Sequence, residues 1–295
     1  MNPLWIEKEL RRFLIEDIGS GDITSEAIFT EEDRIVGTFI AKGEGRLAGL
    51  KVARKAFQLL DPQVEMTFLR HDGTDLAEGE AFARIKGKAR AILAGERVAL
   101  NLMQRMSGIA TETREVVKKV ADLPVTIVDT RKTLPGLRIF DKYAVRVGGG
   151  RNHRFGLYDA VMIKDNHLAA AGSMTEAVRR VRHSVGHMVK IEVEAENLAQ
   201  VEEALSLGVD LILLDNMGLN ELREAVSFIG GRIPTEASGG ITPANVRAVA
   251  ETGVDYISLG WLTHSVKSLD LSLELESEKK RERRREEEEN VYPNP

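Results

Sequence analysis

The chain has 295 residues, of which 43% are hydrophobic, carries a formal net charge of -5 and contains no cysteine. That length suggests two domains or one elaborated domain, the missing cysteines exclude a disulfide framework and cysteine-ligated metal centres, and the acidic balance leaves no global footprint for nucleic acid. No apolar run approaches the roughly 18 residues that cross a bilayer, and the first residues lack the basic-then-apolar profile of a secretory signal, so a cytoplasmic location is expected.

The first part reads as mixed α and β. Residues 4–16 carry apolar side chains at helical spacing, and 19–25 read as a loop. A strand is predicted at 35–41, a helix at 50–60 and a strand at 64–69. Glycines at 73, 79 and 87 make 72–87 read as turns around a short strand. A helix is predicted over 89–106, interrupted at Ser107-Gly108 and followed by a second helix to about 121.

From Pro124 the rhythm changes to short apolar runs alternating with helical segments. Strands are predicted at 125–128, 160–163, 189–193, 211–214, 235–237 and 256–259. Helices are predicted at 175–185, 198–207, 219–229 and 243–251. Repeated βα units imply a parallel sheet covered by helices. A complete eight-unit barrel takes about 250 residues; residues 124–266 are too few, so an open, incomplete barrel is expected. Residues 269–276 alternate apolar and polar at period two, the pattern of a half-buried antiparallel strand, expected to return to the first domain. Residues 278–289 are wholly charged, six basic and six acidic, which is a solvated helix or an extension without chemistry. The expected divisions are 1–112, 113–267, 268–277 for the returning strand and 278–295 for the tail.

In parallel α/β barrels the functional groups gather at the C-terminal strand ends. Here those ends carry Asp129-Thr-Arg-Lys132, Lys164-Asp-Asn-His167, Glu192 and Glu194, Asp215-Asn216, Glu236 with Ser238-Gly-Gly240, and Ser258 with Gly260. Glycines at successive strand ends suit phosphate, which needs close approach to backbone N–H groups. Arg131, Lys132, Arg138, Arg146, Arg151, His153, Arg154 and Lys164 form a basic cluster in which Asp141 and Asp159 are the acids between Arg131 and Lys164. Guanidinium groups bind carboxylates and phosphates in two-point fashion, so the cluster suits a ligand with several negative groups. Glu194 and Asp215, on neighbouring strands, suit sugar hydroxyls or a hard divalent cation; a salt bridge to nearby basic residues is the plainer reading, and both can hold.

Gly95-Glu-Arg-Val-Ala-Leu-Asn101, Ser107-Gly-Ile-Ala-Thr111, Asp129-Thr-Arg-Lys-Thr-Leu-Pro-Gly-Leu-Arg138, Gly148-Gly-Gly-Arg-Asn-His-Arg154, Ile163-Lys-Asp-Asn-His167, Ile191-Glu-Val-Glu194, Leu214-Asp-Asn216, Glu236-Ala-Ser-Gly-Gly-Ile241 and Gly260-Trp-Leu-Thr-His264 resemble quinolinate phosphoribosyltransferases in the same order. The resemblance spans residues 19 to about 275. It implies the type II phosphoribosyltransferase fold, an N-terminal α/β sandwich and an open, seven-stranded α/β barrel. It implies a dimer, sometimes built into a hexamer. The implied activity joins quinolinate to phosphoribosyl pyrophosphate with loss of pyrophosphate and carbon dioxide, in NAD biosynthesis, and uses Mg²⁺. Carried over by motif, Arg131, His153, Arg154 and Lys164 would surround the quinolinate carboxylates, Thr130 would also be substrate-binding, and Arg97 would reach a partner subunit's site. Lys132, Lys164, Glu194 and Asp215 would be the catalytic set handling phosphoribosyl pyrophosphate and its metal, with Glu194 and Asp215 as metal ligands, directly or through water and phosphate. Ser238, Gly239, Gly240, Leu259, Gly260 and Trp261 would hold the 5′-phosphate.

Two positions depart from the pattern. Leu134 stands where many members have threonine, and Trp261 where a small residue is common. Two other readings compete: a related enzyme of the same fold using another anionic pyridine, and a non-catalytic phosphate-ligand binding barrel. The second would not need Lys132, Glu194 and Asp215 together.

Overall fold

The computed structural model describes residues 1–276; the charged tail at 278–295 and residue 277 lie outside the described residues. The described chain divides into two compact units, residues 1–111 with 267–276, and residues 112–266.

The first unit begins with α1 (Pro3–Ile18), α2 (Ile23–Ile28), β1 (Arg34–Ala41), β2 (Gly45–Arg46), α3 (Leu50–Leu60), β3 (Glu65–Phe68), β4 (Asp75–Leu76) and β5 (Ala81–Lys88); α4 (Ala89–Lys119) follows, and the unit boundary falls within it. The loop expected over 19–25 stops at Asp22, because its carboxylate accepts the Ser25 N–H at 3.1 Å and starts α2. The segment expected as turns over 72–87 resolves into β4 and a full eight-residue strand, β5. Gly87 lies inside that strand because a Cβ there would meet Val64 Cγ2 at 2.8 Å; it marks a close approach, not a turn. The break expected at Ser107-Gly108 is likewise absent, and α4 runs through it. Gly108 is small because the Lys267 carbonyl oxygen would lie 2.1 Å from a Cβ, and buried Ser107 accepts the Ala48 N–H at 3.0 Å. Phe39, Phe57 and Phe82 are fully buried between β1, α3 and β5, with ring centroids 6.2 and 5.9 Å apart, within the range of favourable aromatic pairs.

The second unit contains β6 (Thr126–Val128), α5 (Arg138–Val147), β7 (Val161–Ile163), α6 (Asp165–Ala171), α7 (Met174–Ser184), β8 (Ile191–Ala195), α8 (Leu198–Ser206), β9 (Leu211–Asp215), α9 (Leu219–Ile229), β10 (Thr235–Ser238), α10 (Val246–Ala250), β11 (Tyr256–Ser258) and α11 (Trp261–His264). Last, β12 (Leu271–Leu275) belongs to the first unit and pairs antiparallel with β1, giving a four-stranded sheet of order β12-β1-β5-β3.

The sheet of the second unit has six strands in the order β6-β11-β10-β9-β8-β7, all pairs parallel. The seven strands that the resemblance implies are therefore six among the described residues. The seventh shrinks to one residue: Arg151 bridges Val128 on the open side of β6. Backbone pairing stops there because the next N–H, that of His153, turns to the Asp129 side chain at 2.9 Å. On β8, Ile191, Val193 and Ala195 join the apolar core with residues of α7 and α8, so the alternation of a strand turns Glu192 and Glu194 to the opposite face. His153, beyond the β6 edge, reaches Glu192 on β8 and Glu236 on β10; the sheet curls until these elements meet around one interior.

Candidate active site

The deepest part of that interior is ionic. His153 Nε2 lies 3.0 Å from Glu192 and 3.5 Å from Glu236. Both glutamates are buried, and one carboxylate oxygen of each has no hydrogen-bond partner among the described residues. These three side chains are close enough to hold a metal, their ligand atoms lying within 4.8 Å of one another. His153 Nδ1, however, accepts the Arg154 N–H at 2.7 Å, which leaves Nε2 to carry the hydrogen of the neutral ring and act as a donor. The trio is better described as a hydrogen-bonded charge cluster. Burial pulls the His153 pKa down, but the hydrogen bond to Glu192 and the charge of Glu236 outweigh it and hold it above the ordinary value. Glu236 is pushed up to about 7, by burial first and by the Glu192 charge second. A cavity of about 490 Å³ opens beside the cluster, lined among others by Arg154, Asp159, Tyr256 and the three cluster residues.

Nearer the strand ends lies a second acidic layer. Lys164, immediately after β7, donates to both oxygens of Glu194 at 3.2 and 3.1 Å. Its backbone N–H donates to His167 Nδ1 at 2.9 Å, which caps the entry to α6. Asp215 ends β9, and its carboxylate accepts from Asn216 Nδ2 at 2.7 Å. Burial raises the pKa of both acids, while Lys164 opposes the shift at each, joined by Lys132 at Asp215. These half-buried carboxylates lie outside the lining of the deeper cavity.

The two arms that carry the basic residues are tied together. Asp129, fully buried after β6, pairs with buried Lys142 on α5 and accepts from Asn152 Nδ2 at 2.5 Å and from the His153 N–H at 2.9 Å. Burial pushes Asp129 up and Lys142 down, and their mutual charge opposes both shifts. Arg131 Nε is buried with no hydrogen-bond partner among the described residues. Arg154 donates to the Ala160 carbonyl at 3.1 Å, and burial, then the neighbouring Arg131 charge, lowers its pKa.

The glycine loops also meet. Gly239 has φ +90°, and a Cβ there would strike Asn216 Oδ1 at 2.1 Å, so no other residue fits. Asn216 itself adopts φ 54°, a conformation asparagine tolerates better than most residues. A Cβ at Gly260 would lie 2.8 Å from Lys132 Cδ. The Trp261 indole N–H donates to the Ile241 carbonyl at 3.0 Å; the residue that departs from the pattern pins one glycine loop to the other. The helix expected from 243 starts later, at Val246, because a turn closed by Asn245 on Thr242 at 2.7 Å comes first. Leu134, the other departure, is exposed.

Of the residues singled out, Thr130, Arg131, Lys132, His153, Arg154, Lys164, Glu194, Asp215, Ser238, Gly239, Gly240, Leu259, Gly260 and Trp261 all lie in the second unit, at or just beyond its strand ends, whereas Arg97 is exposed on α4 in the first unit. The role of Glu192 and Glu236 as partners of His153 was not legible from their spacing. Arg138 is also not a free anion-binding group, since its guanidinium donates to Thr133 Oγ1 and to the carbonyls of Phe155 and Arg131.

An open parallel barrel whose strand ends carry neighbouring guanidinium groups, a lysine–carboxylate layer and paired glycine loops is a barrel of the class that binds phosphorylated and carboxylated small molecules. Residues 22–107 match the model of the quinolinate phosphoribosyl transferase N-terminal domain, and 109–274 that of the C-terminal domain. The chain is 52% identical over 272 residues to a probable nicotinate-nucleotide pyrophosphorylase [carboxylating] of Bacillus subtilis, covering 92% of this chain and 94% of that protein. It is 44% identical over 278 residues to a quinolinate phosphoribosyltransferase [decarboxylating] of Nicotiana tabacum, covering 88% and 79%. The crystal structure of NadC from Streptococcus pyogenes superimposes with a TM-score of 0.89 at 43% identity, covering 94% of this chain and 98% of that one. The chain belongs to the quinolinate phosphoribosyltransferase family.

Proposed function

We propose that this chain is a decarboxylating quinolinate phosphoribosyltransferase, converting quinolinate and 5-phosphoribosyl 1-pyrophosphate to nicotinate mononucleotide, pyrophosphate and carbon dioxide, a step in NAD biosynthesis. The observation that carries this reading is the adjacency of Arg131 and Arg154, with a buried Arg131 Nε that lacks a partner. Two neighbouring guanidinium groups suit two carboxylates on one ring. Thr130, His153 and Lys164 complete the quinolinate surround, and Ser238–Gly240 with Leu259–Trp261 take the 5′-phosphate.

In the reaction the pyridine nitrogen bonds to ribose C1 as the C1–oxygen bond to pyrophosphate breaks. The 2-carboxylate then leaves as carbon dioxide, its bonding electrons pass to C2, and a proton takes its place. Lys132 and Lys164 offset the charge developing on the departing pyrophosphate, a preorganised electrostatic role. Binding both reactants in one interior aligns the ring nitrogen with C1. Asp215 retains accepting capacity beyond its Asn216 contact, while both Glu194 oxygens are engaged by Lys164. That donor set fits Mg²⁺ held largely through water and phosphate oxygens. When bound, the ion supplies positive charge to the pyrophosphate.

The active unit in this reading is at least a dimer, with Arg97 serving the partner's site; its exposure on α4 supports that role. The cytoplasm is the proposed location. Among the described residues no helix is long and apolar enough to cross a membrane. The test is incubation with quinolinate, phosphoribosyl pyrophosphate and Mg²⁺, followed by assay for nicotinate mononucleotide. Product is expected. Its absence, with turnover of nicotinate instead, would favour the related enzyme; no turnover of either would favour a binding barrel.

A further inference from the structure

The two arginines stand on separate stretches of chain, 129–133 and 151–155. Two struts join these stretches. The first is Asp129, whose carboxylate takes Lys142 Nζ, Asn152 Nδ2 and the His153 N–H. Lys142 Nζ donates again to the His153 carbonyl at 3.0 Å, and Asn152 Nδ2 to the Lys142 carbonyl at 2.8 Å. The second strut is Arg138, which donates to Thr133 Oγ1 at 2.9 Å and the Arg131 carbonyl at 3.3 Å on one stretch, and to the Phe155 carbonyl at 3.2 Å on the other. Each strut therefore grips both stretches, one beside His153 and Arg154 and the other beside Arg131 and Phe155.

We propose that Asp129 and Arg138 are positioning residues that set the separation of the Arg131 and Arg154 guanidinium groups, and thereby select a ring bearing two carboxylates over one bearing a single carboxylate. This rests on the functional reading above. A buried ion pair is weak as a source of stability, because desolvation offsets the attraction, and its better-attested use is to specify one geometry. Arg138 meets backbone carbonyls at fixed points, and its planar fork holds them at a fixed spacing. A one-carboxylate ligand needs one guanidinium and is indifferent to the spacing; a two-carboxylate ligand needs both at once.

Arg138→Ala removes the second strut, and Asn152→Ala removes one limb of the first without leaving a buried charge. Asp129→Asn is the stronger change but leaves Lys142 buried and uncompensated, so the two milder variants keep the test intact if it does not fold. Quinolinate and nicotinate are titrated into each folded protein by calorimetry, and the KM of each reactant is measured beside thermal stability. Arg138→Ala should weaken quinolinate binding about tenfold, the scale of one hydrogen bond involving a charged group. Nicotinate affinity and the KM for phosphoribosyl pyrophosphate should move less than about threefold, and Asn152→Ala should follow in the same direction with a smaller change. Equal losses for both pyridines, or a rise in both KM values tracking a loss of stability, would mean a purely structural role and overturn the proposal. Unchanged quinolinate affinity in the variants would overturn it too. Wild-type protein that binds no quinolinate would overturn the functional reading, and this inference with it.

Discussion

Glu192 and Glu194 stand two residues apart on β8, facing the same interior, yet they live in different chemistry. Glu192 sits deep, beside His153 and Glu236, in a cluster whose members are almost closed to solvent. Glu194 sits one layer higher, beside Lys164, whose side chain is 42% exposed, and near Asp215. Their own side chains are almost equally covered, 9% and 10% exposed, so it is the exposure of their partners that separates them. A charge held in low dielectric must be matched by fixed partners, and removing one is costly. A charge at the mouth keeps contact with water and with whatever enters. The deep layer should therefore matter most to folding, and the upper layer most to chemistry.

The sharpest break between the layers is metal removal. Chelation of divalent cations should abolish turnover while leaving the unfolding transition in place, and Asp215→Asn should raise the KM for phosphoribosyl pyrophosphate more than that for quinolinate. Normal activity in a chelated sample would remove the metal from the upper layer. Next, Lys164→Ala should lower kcat/KM by about 10²–10³-fold, the range for a preorganised electrostatic group, with little change in the urea midpoint. If stability falls instead and activity survives, the layers are wrongly assigned.

The deep layer has the complementary expectation. His153→Leu leaves two buried carboxylates facing one another and should destabilise by about 3 kcal/mol, read from urea unfolding at neutral pH. A pH dependence follows from the raised pKa of Glu236. The folded state holds a proton on Glu236 up to about pH 7, whereas the unfolded chain loses it near the ordinary value of 4.5. Between those values the folded state binds more protons, so stability falls as pH rises through the window. Raised His153 has the same sign. Glu236→Gln should flatten that slope; a slope identical to wild type would mean Glu236 does not carry it.

Much of the architecture was legible locally. The period-two alternation of 269–276 marked the strand that pairs with β1, and helix α9 begins and ends where its apolar spacing places it. The strand-end chemistry of Lys164, Glu194 and Asp215 was readable because short apolar runs ending in ionisable residues are a local pattern. Glycine was read less well. Gly87 and Gly108 look like punctuation along the chain, but each is small because a distant residue, Val64 or Lys267, comes within contact distance of where a Cβ would be.

By itself the sequence determined which residues bear charge, which segments alternate and which family motifs occur in which order, because all of these are properties of neighbours along the chain. Only the tertiary structure decided that Arg138 is spent on carbonyls, that Trp261 pins Ile241, that the seventh strand shrinks to Arg151, and that Glu192 and Glu236 converge on His153. Each of these depends on where a curled sheet and its connecting loops bring together residues far apart in sequence. A hydrogen bond or a desolvated charge is defined by that proximity, which no local pattern contains.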